Sequence, residues 1–297
     1  MKFVSFTFGE NLPRVGAYDG AGKIVDLCAA SVEFPASMIE LIRAGDPIVA
    51  YTAETLASAP ARARLSPHEV NLIAPIPRPT KNVFCVGRNY KEHIDEGHRA
   101  RGTEVSYPKA PQFFTKAPTA VVGPNEVVHV ESTVTMKFDY EAELGVVIGS
   151  GGKNIPEADA LDAVFGFTIV NDMTARDLQR RHDQWFKGKS LDRSCPMGPC
   201  IVHRSAISNP QDLGLQLKVN GQLRQKSRTS NMIFSLRKII AELSCGMTLE
   251  PGDIIATGTP QGVGFAMDPP CFLKDGDEIM IDVEQIGQLH TRVEIID

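Results

Sequence analysis

From residue 82 onward the chain reads as a succession of short strand-like runs, with helical patterns only scattered among them. Apolar or alternating stretches fall at 82–86, 127–130, 136–148, 164–170, 201–203, 215–219, 253–257, 278–283 and 291–296. Helical spacing is confined to 90–99, 156–162, 174–181 and 233–243. A doubly wound sheet needs strands and helices in regular alternation, and this order lacks it. The expectation is a strand-rich α+β fold, or a mostly β roll. Asn220-Gly221 and Asp275-Gly276 supply turn pairs.

The N-terminal part has a different grain. Residues 2–8 alternate like a strand, 14–18 and 23–27 read as a hairpin across Asp19-Gly20, and short helical patterns follow at 38–44 and 51–57. Pro75, Pro77 and Pro79 then stand at alternate positions, which favours extended chain over any regular element. The expected division is a small β-rich N-terminal domain at 1–73, a Pro-rich linker at 74–80 and a large domain at 81–297. With 297 residues, 42% of them hydrophobic, the chain has enough apolar material for such a core.

Charge and cysteine usage exclude several functions. Net charge is −5, and the basic residues between positions 176 and 193 are interleaved with Asp177, Asp183 and Asp192. Nucleic-acid binding, which needs a concentrated positive face, is not expected. No apolar run approaches the roughly 18 residues of a membrane helix, and the first ten residues alternate rather than forming a signal-peptide core. A cytoplasmic protein without membrane partners is the expectation. The six cysteines form no CxxC pair, so reduced thiols are expected rather than a zinc site.

Five segments carry chemistry. In Phe138-Asp139-Tyr140-Glu141-Ala142-Glu143-Leu144, strand alternation puts Glu141 and Glu143 on one face. Two adjacent carboxylates are costly unless a cation or a proton separates them; the plainer alternative is an edge strand with two solvated glutamates. In Val170-Asn171-Asp172-Met173-Thr174-Ala175-Arg176-Asp177, an apolar strand runs straight into Asp172, and Asp172 or Thr174 is placed to cap a following helix. A third carboxylate at a strand end completes a set of oxygen ligands for a hard cation, Mg²⁺ first, with Mn²⁺ or Ca²⁺ as the other choices. If 90–99 is helical, His93 and Glu96 face the same way, the arrangement of a general base on water; the alternative is a solvated helix face. Gly188-Lys189-Ser190 is not a phosphate loop, because position 183 is Asp where that motif needs Gly. Lys189 is instead a candidate for a developing oxyanion, or an ordinary surface lysine. Ala256-Thr257-Gly258-Thr259-Pro260 is a strand entering a Gly-rich turn whose amides suit a carboxylate.

Taken in order, Gly87-Arg88-Asn89-Tyr90 with His93, Tyr140-Glu141-Ala142-Glu143-Leu144, Asn171-Asp172-Met173-Thr174-Ala175-Arg176-Asp177, Gly188-Lys189-Ser190 and Gly258-Thr259-Pro260 resemble the fumarylacetoacetate hydrolase family. The resemblance covers the chain from about residue 81 to the end. It implies a mixed β roll for the large domain, usually a homodimer, with Mg²⁺ or a similar ion. It implies Glu141, Glu143 and Asp172 as metal ligands, and His93 with Glu96 as the water-activating pair. Lys189 is implied for the oxyanion, and Arg88, Tyr90, Arg176, Gln179 and Thr259 for substrate. The founding hydrolase has a further aspartate ligand where this chain has Cys85 and Val86, which places it with the three-ligand acylpyruvate hydrolase-like branch.

The expected reaction is hydrolytic cleavage of a carbon–carbon bond in a small 2,4-dioxo acid, an acylpyruvate such as fumarylpyruvate or maleylpyruvate, to pyruvate and a carboxylic acid. Oxaloacetate decarboxylation, isomerisation of a hydroxymuconate-type acid and ureidoglycolate lyase chemistry stay open on the same site. A non-catalytic metal-bound binding protein is a minor alternative, since it needs neither His93 nor Lys189. Residues 92–111, rich in charge and poor in apolar side chains, are expected to form a lid.

Overall fold

The structure, a computed structural model, describes residues 1–9 and 12–297. Its spine is a twelve-stranded sheet. The main path runs Arg64–Leu65, Ile24–Asp26, Arg14–Tyr18, Lys2–Thr7, Cys195–His203, Val164–Asn171, Ala142–Ile148, Ile254–Ala256, Val83–Gly87 and Gln112–Lys116. Asn71–Ile73 pairs beside Lys2–Thr7, and Val121–Val122 beside Cys195–His203. A five-stranded sheet orders Gln222–Arg228, Gly214–Val219, Glu278–Val283, Gly287–Ile296 and Val127–Glu131. Phe138–Asp139 and Thr174–Ala175 form a small ladder of their own.

Side-chain alternation on the central strand explains the layering. All of Ala142–Ile148 is buried. Leu144, Val146 and Ile148 join one apolar cluster with Leu215, Leu217, Ile279, Ile281 and Leu289 of the five-stranded sheet. Val147, facing the other way, joins a second cluster with Leu27, Met38, Leu41 and Ile42 of the N-terminal part. Each Leu or Ile so enclosed contributes about 1.5–3 kcal/mol relative to exposure, so both faces of the sheet must stay covered. The N-terminal strands continue the large sheet through Lys2–Thr7, where Phe3 lies opposite Ile201. The proline-rich stretch packs along it, with Ala74 and Ile76 buried and Ser5 Oγ donating to the Pro75 carbonyl at 2.7 Å.

The strand-rich α+β expectation is met. The helices differ in detail. The segment at 156–162 keeps only a single 3-10 turn, Glu157–Asp159. The helix expected at 174–181 begins at Arg176, because Thr174 and Ala175 are used in the small ladder. Neither Asp172 nor Thr174 caps it: Ala175 stands at the cap, and the Thr174 hydroxyl donates back to the Asp172 carbonyl at 2.9 Å. Met38–Ser58 is two helical pieces broken at Gly45, whose φ of 66° lies in the left-handed region, ahead of Pro47. No helix among the described residues is long and apolar enough to cross a membrane.

Candidate active site

Sheet register brings the acidic residues together. Ala142 lies opposite Asn171 and Glu143 opposite Val170, so Glu141 and Asp172 meet at the same end of the two strands. Asp172 N–H donates to the Glu141 carbonyl at 2.9 Å, and the Glu141 amide donates to Asn171 Oδ1 at 3.0 Å, which ties the two strand ends. Each of Glu141, Glu143 and Asp172 offers a carboxylate oxygen within 4.8 Å of the others. Strand Ile254–Ala256 flanks Ala142–Ile148 and runs into Gly258, whose amide donates to Glu143 Oε2 at 2.8 Å. Gly258 has φ 102°, and a Cβ there would lie 2.7 Å from that of Asn89, so only glycine lets this amide reach the carboxylate.

Buried cations answer these acids. Lys189 Nζ donates to Glu141 Oε2 at 2.8 Å and Asp172 Oδ2 at 2.6 Å. Arg176 spans Asp139 Oδ2 (2.9 Å) and Glu141 Oε1 (2.8 Å). Lys116, fully buried, sits 2.9 Å from Asp172 Oδ1 and donates to the Met173 carbonyl at 2.9 Å. Burial pushes Glu141 up, but Lys189, Arg176 and His93 outweigh it and hold the carboxyl at about 2. Burial would lower Lys189, yet Asp172 and Glu141 raise its pKa above the ordinary value. Glu143 goes the other way: burial first, then the charges of Asp172 and Glu141, push it well above the usual carboxylate range. Four carboxylates (Asp139, Glu141, Glu143, Asp172) thus face three cations (Lys116, Arg176, Lys189), and the uncompensated charge falls at Glu143. An all-carboxylate donor set with negative charge to spare suits a hard divalent cation, so the residues fit such an ion.

A cavity of about 640 Å³ opens over this floor. Glu141, Glu143, Arg176, Lys189, Arg88, Gln179 and Thr259 line it, as does His93. The helix Lys91–Arg101 carries His93, whose Nδ1 lies 2.9 Å from Glu96 Oε1; Glu96 Oε2 accepts from the Gly262 amide at 2.8 Å. Within the expected lid segment, this helix is therefore tied down at Glu96. Arg88 has φ 55°, rare for a non-glycine residue, and turns the chain from strand Val83–Gly87 into that helix while its Nε donates to Gln112 at 2.7 Å.

Three candidates sit differently. Asp172 is wholly buried beneath the cavity wall, between Lys116 and Lys189. Tyr90 points into the core, with its hydroxyl among the buried polar atoms without a hydrogen-bond partner, and it does not line the cavity. Thr259 lines the cavity, but its hydroxyl is committed, donating to the Ala142 carbonyl (3.0 Å) and accepting from Gln225 (2.8 Å). Sequence reasoning missed Lys116, which stands in an ordinary-looking strand, and the wall residues Phe114, Trp185 and Phe265. The buried Asp139–Arg176 pair was within reach, since Asp139 adjoins the glutamates in the same motif.

The family description "Fumarylacetoacetate (FAA) hydrolase C-terminal" matches residues 82–294. The chain is 47% identical to the oxaloacetate tautomerase of Bacillus subtilis (strain 168) over 98% of its own length and 100% of the relative's. It is 38% identical to a mitochondrial oxaloacetate tautomerase of Xenopus laevis, over 99% and 90% of the two chains. Among solved structures, the maleylpyruvate hydrolase from Sphingobium sp. SYK-6, in complex with manganese(II) ion and pyruvate, superposes with a TM-score of 0.80 at 31% identity, over the full length of both chains. On these matches, and on the motifs that build its cavity, this chain belongs to the fumarylacetoacetate hydrolase family.

Proposed function

We propose that this protein catalyses metal-dependent proton transfer on a small 2-oxo acid, with keto–enol interconversion of oxaloacetate as the leading reaction. The observation that carries the reading is one cavity lined both by the carboxylates Glu141 and Glu143 and by a histidine backed by its own carboxylate. The tautomerases among the relatives point to oxaloacetate. The reaction moves one proton from the carbon beside the 2-oxo group to the 2-oxo oxygen, and needs neither water nor a leaving group.

Glu141, Glu143 and Asp172 would hold the ion, Mg²⁺ by preference, or Mn²⁺ or Ca²⁺. Bound there, it supplies Lewis-acid polarisation of a substrate oxygen. Glu96 at Nδ1 favours the His93 tautomer whose lone pair is on Nε2, the nitrogen left to take and return the carbon-bound proton. Lys189 and Arg176 set positive charge beside the point where the oxyanion develops. Arg88 and Gln179 orient the substrate carboxylate from the cavity wall; Thr259 acts through the turn it anchors, and Tyr90 by supporting the Arg88 turn from the core.

A second reading, hydrolysis of an acylpyruvate with His93 activating water, is favoured by the likeness to a maleylpyruvate hydrolase. The two separate in one assay with Mg²⁺ or Mn²⁺. Acceleration of the ultraviolet decay of enol-oxaloacetate, without pyruvate or carbon dioxide, supports tautomerisation. Pyruvate plus a second acid from fumarylpyruvate or maleylpyruvate supports hydrolysis. Carbon dioxide from oxaloacetate would make it a decarboxylase, and silence across all three substrates would sink the enzyme reading.

A further inference from the structure

The mouth of the cavity holds cations that the chemistry above does not use. Arg101, at the end of helix Lys91–Arg101, and Arg180, on helix Arg176–Arg181, both line it, together with Arg88, His98 and His182. The Phe265 ring gathers three guanidinium groups: Arg176 at 4.5 Å, Arg101 at 5.8 Å and Arg180 at 5.9 Å from its centroid. Arg176 is satisfied by Asp139 and Glu141. Among the described residues, Arg101 and Arg180 have no carboxylate within ion-pair distance, although Asp183 lines the same cavity. Arg14, Arg64, Arg204 and Arg228, by contrast, each hold an aspartate at 2.6–2.8 Å. Burial, and then the charges of Arg180, Arg88 and Arg176, lower the pKa of Arg101, the mark of cations crowded without an anion.

We propose that Arg101 and Arg180 form a subsite for a second carboxylate at the far end of the substrate, so that the protein selects dicarboxylic 2-oxo acids over monocarboxylic ones. Arg101 shares its helix with His93 and Glu96, while Arg180 shares its helix with Arg176. A carboxylate held by both ties the helix of the proton-moving pair to the helix that meets the acidic floor. The subsite rests on the reading that the 2-oxo acid head sits at Glu141, Glu143 and Asp172.

The test is calorimetric and independent of turnover. Mg²⁺-loaded full-length protein is titrated with 2-oxoglutarate against 2-oxopentanoate, and with 2-oxoadipate against 2-oxohexanoate, pairs that differ in the terminal carboxylate. A charge-assisted contact to arginine corresponds to a preference of about tenfold or more for the dicarboxylate. Arg101→Gln and Arg180→Gln should each remove most of that preference in at least one pair and leave the monocarboxylic acids within about twofold. Arg181→Gln, one position along and outside the cavity lining, should change neither. An unchanged preference, an equal loss for both acids of a pair, or an equal loss in the Arg181 variant overturns the subsite while leaving the head-group reading intact. If the monocarboxylic acids bind equally with and without Mg²⁺, the head-group reading itself falls, and the subsite with it.

Discussion

The floor and the mouth of the cavity are built on opposite electrostatic plans. At the floor, every cation is buried and paired with acid: Lys189 between Glu141 and Asp172, Arg176 between Asp139 and Glu141, Lys116 against Asp172 alone. At the mouth, Arg101 and Arg180 are exposed and without an acidic partner among the described residues. A buried charge left unpaired is expensive, whereas an exposed one is solvated at little cost. The floor is therefore constrained by the fold itself, and the mouth is free to be tuned for ligands. Substitutions at the two levels should differ sharply in what they do to stability and to binding.

The largest effect is expected at Lys116. Its ammonium is fully buried, and removal leaves Asp172 Oδ1 without its cation. Lys116→Met keeps the volume and should cost about 3–5 kcal/mol of metal-free stability, as breaking one side of a buried pair does. Urea unfolding in a chelator measures it. A loss under about 1 kcal/mol would show that Lys189 alone suffices for Asp172, and that the floor is less tightly balanced than its contacts indicate.

Glu143 sharpens the comparison from the other side, because it is the floor carboxylate that no lysine or arginine pairs. Glu143→Gln keeps the shape and removes the like-charge crowding. Metal-free protein should be as stable as the parent or slightly more so, while Mg²⁺ affinity falls by about 100-fold, or ~2.7 kcal/mol. Isothermal titration with Mg²⁺, paired with thermal melts in a chelator, reads both. Destabilisation together with unchanged Mg²⁺ binding would contradict the ligand assignment.

Between floor and mouth stands an aromatic wall. Trp185 meets Phe114 edge-on, with ring centroids 5.3 Å apart, and closes over Gly87, where an added Cβ would overlap the indole ring. Gly87→Ala should displace Trp185 and cost about 1–3 kcal/mol by overpacking, visible as a shift in the emission of the single tryptophan. Unshifted emission at parental stability would mean that the wall yields freely.

The floor was more legible in the sequence than the mouth, for physical reasons. Alternation placed Glu141 and Glu143 on one face, and an apolar strand ending at Asp172 suggested a presented carboxylate; strand register then brings the three together. Lys116 was invisible because its strand, Gln112–Lys116, carries a weak pattern, and its burial follows from pairing opposite Val83. Strand Gln222–Arg228 was missed likewise: four of its seven side chains are exposed and only Gln225 is buried, so only the Asn220-Gly221 turn announced it. Arg101 fell in the charge-rich stretch 92–111 and Arg180 in the expected helix 174–181, where such cations are indistinguishable in sequence from a solvated face. Only the Phe265 ring, more than eighty residues away, shows that they converge.

The smallest effect belongs to the mouth without ligand. Arg101→Gln removes one of the guanidinium groups gathered around Phe265, relieving repulsion from Arg180, Arg88 and Arg176 while giving up a cation–π contact. The two nearly cancel, so the change in stability should lie within about 0.5 kcal/mol. Its sign should depend on salt. At low ionic strength the repulsion reaches across the mouth and the variant gains stability. At 1 M salt, where the screening length is about 3 Å, only the lost contact remains and the gain should vanish or reverse. Thermal melts of the two proteins across a salt series decide it. A difference independent of salt would mean that the mouth cations are already compensated, erasing the contrast with the floor.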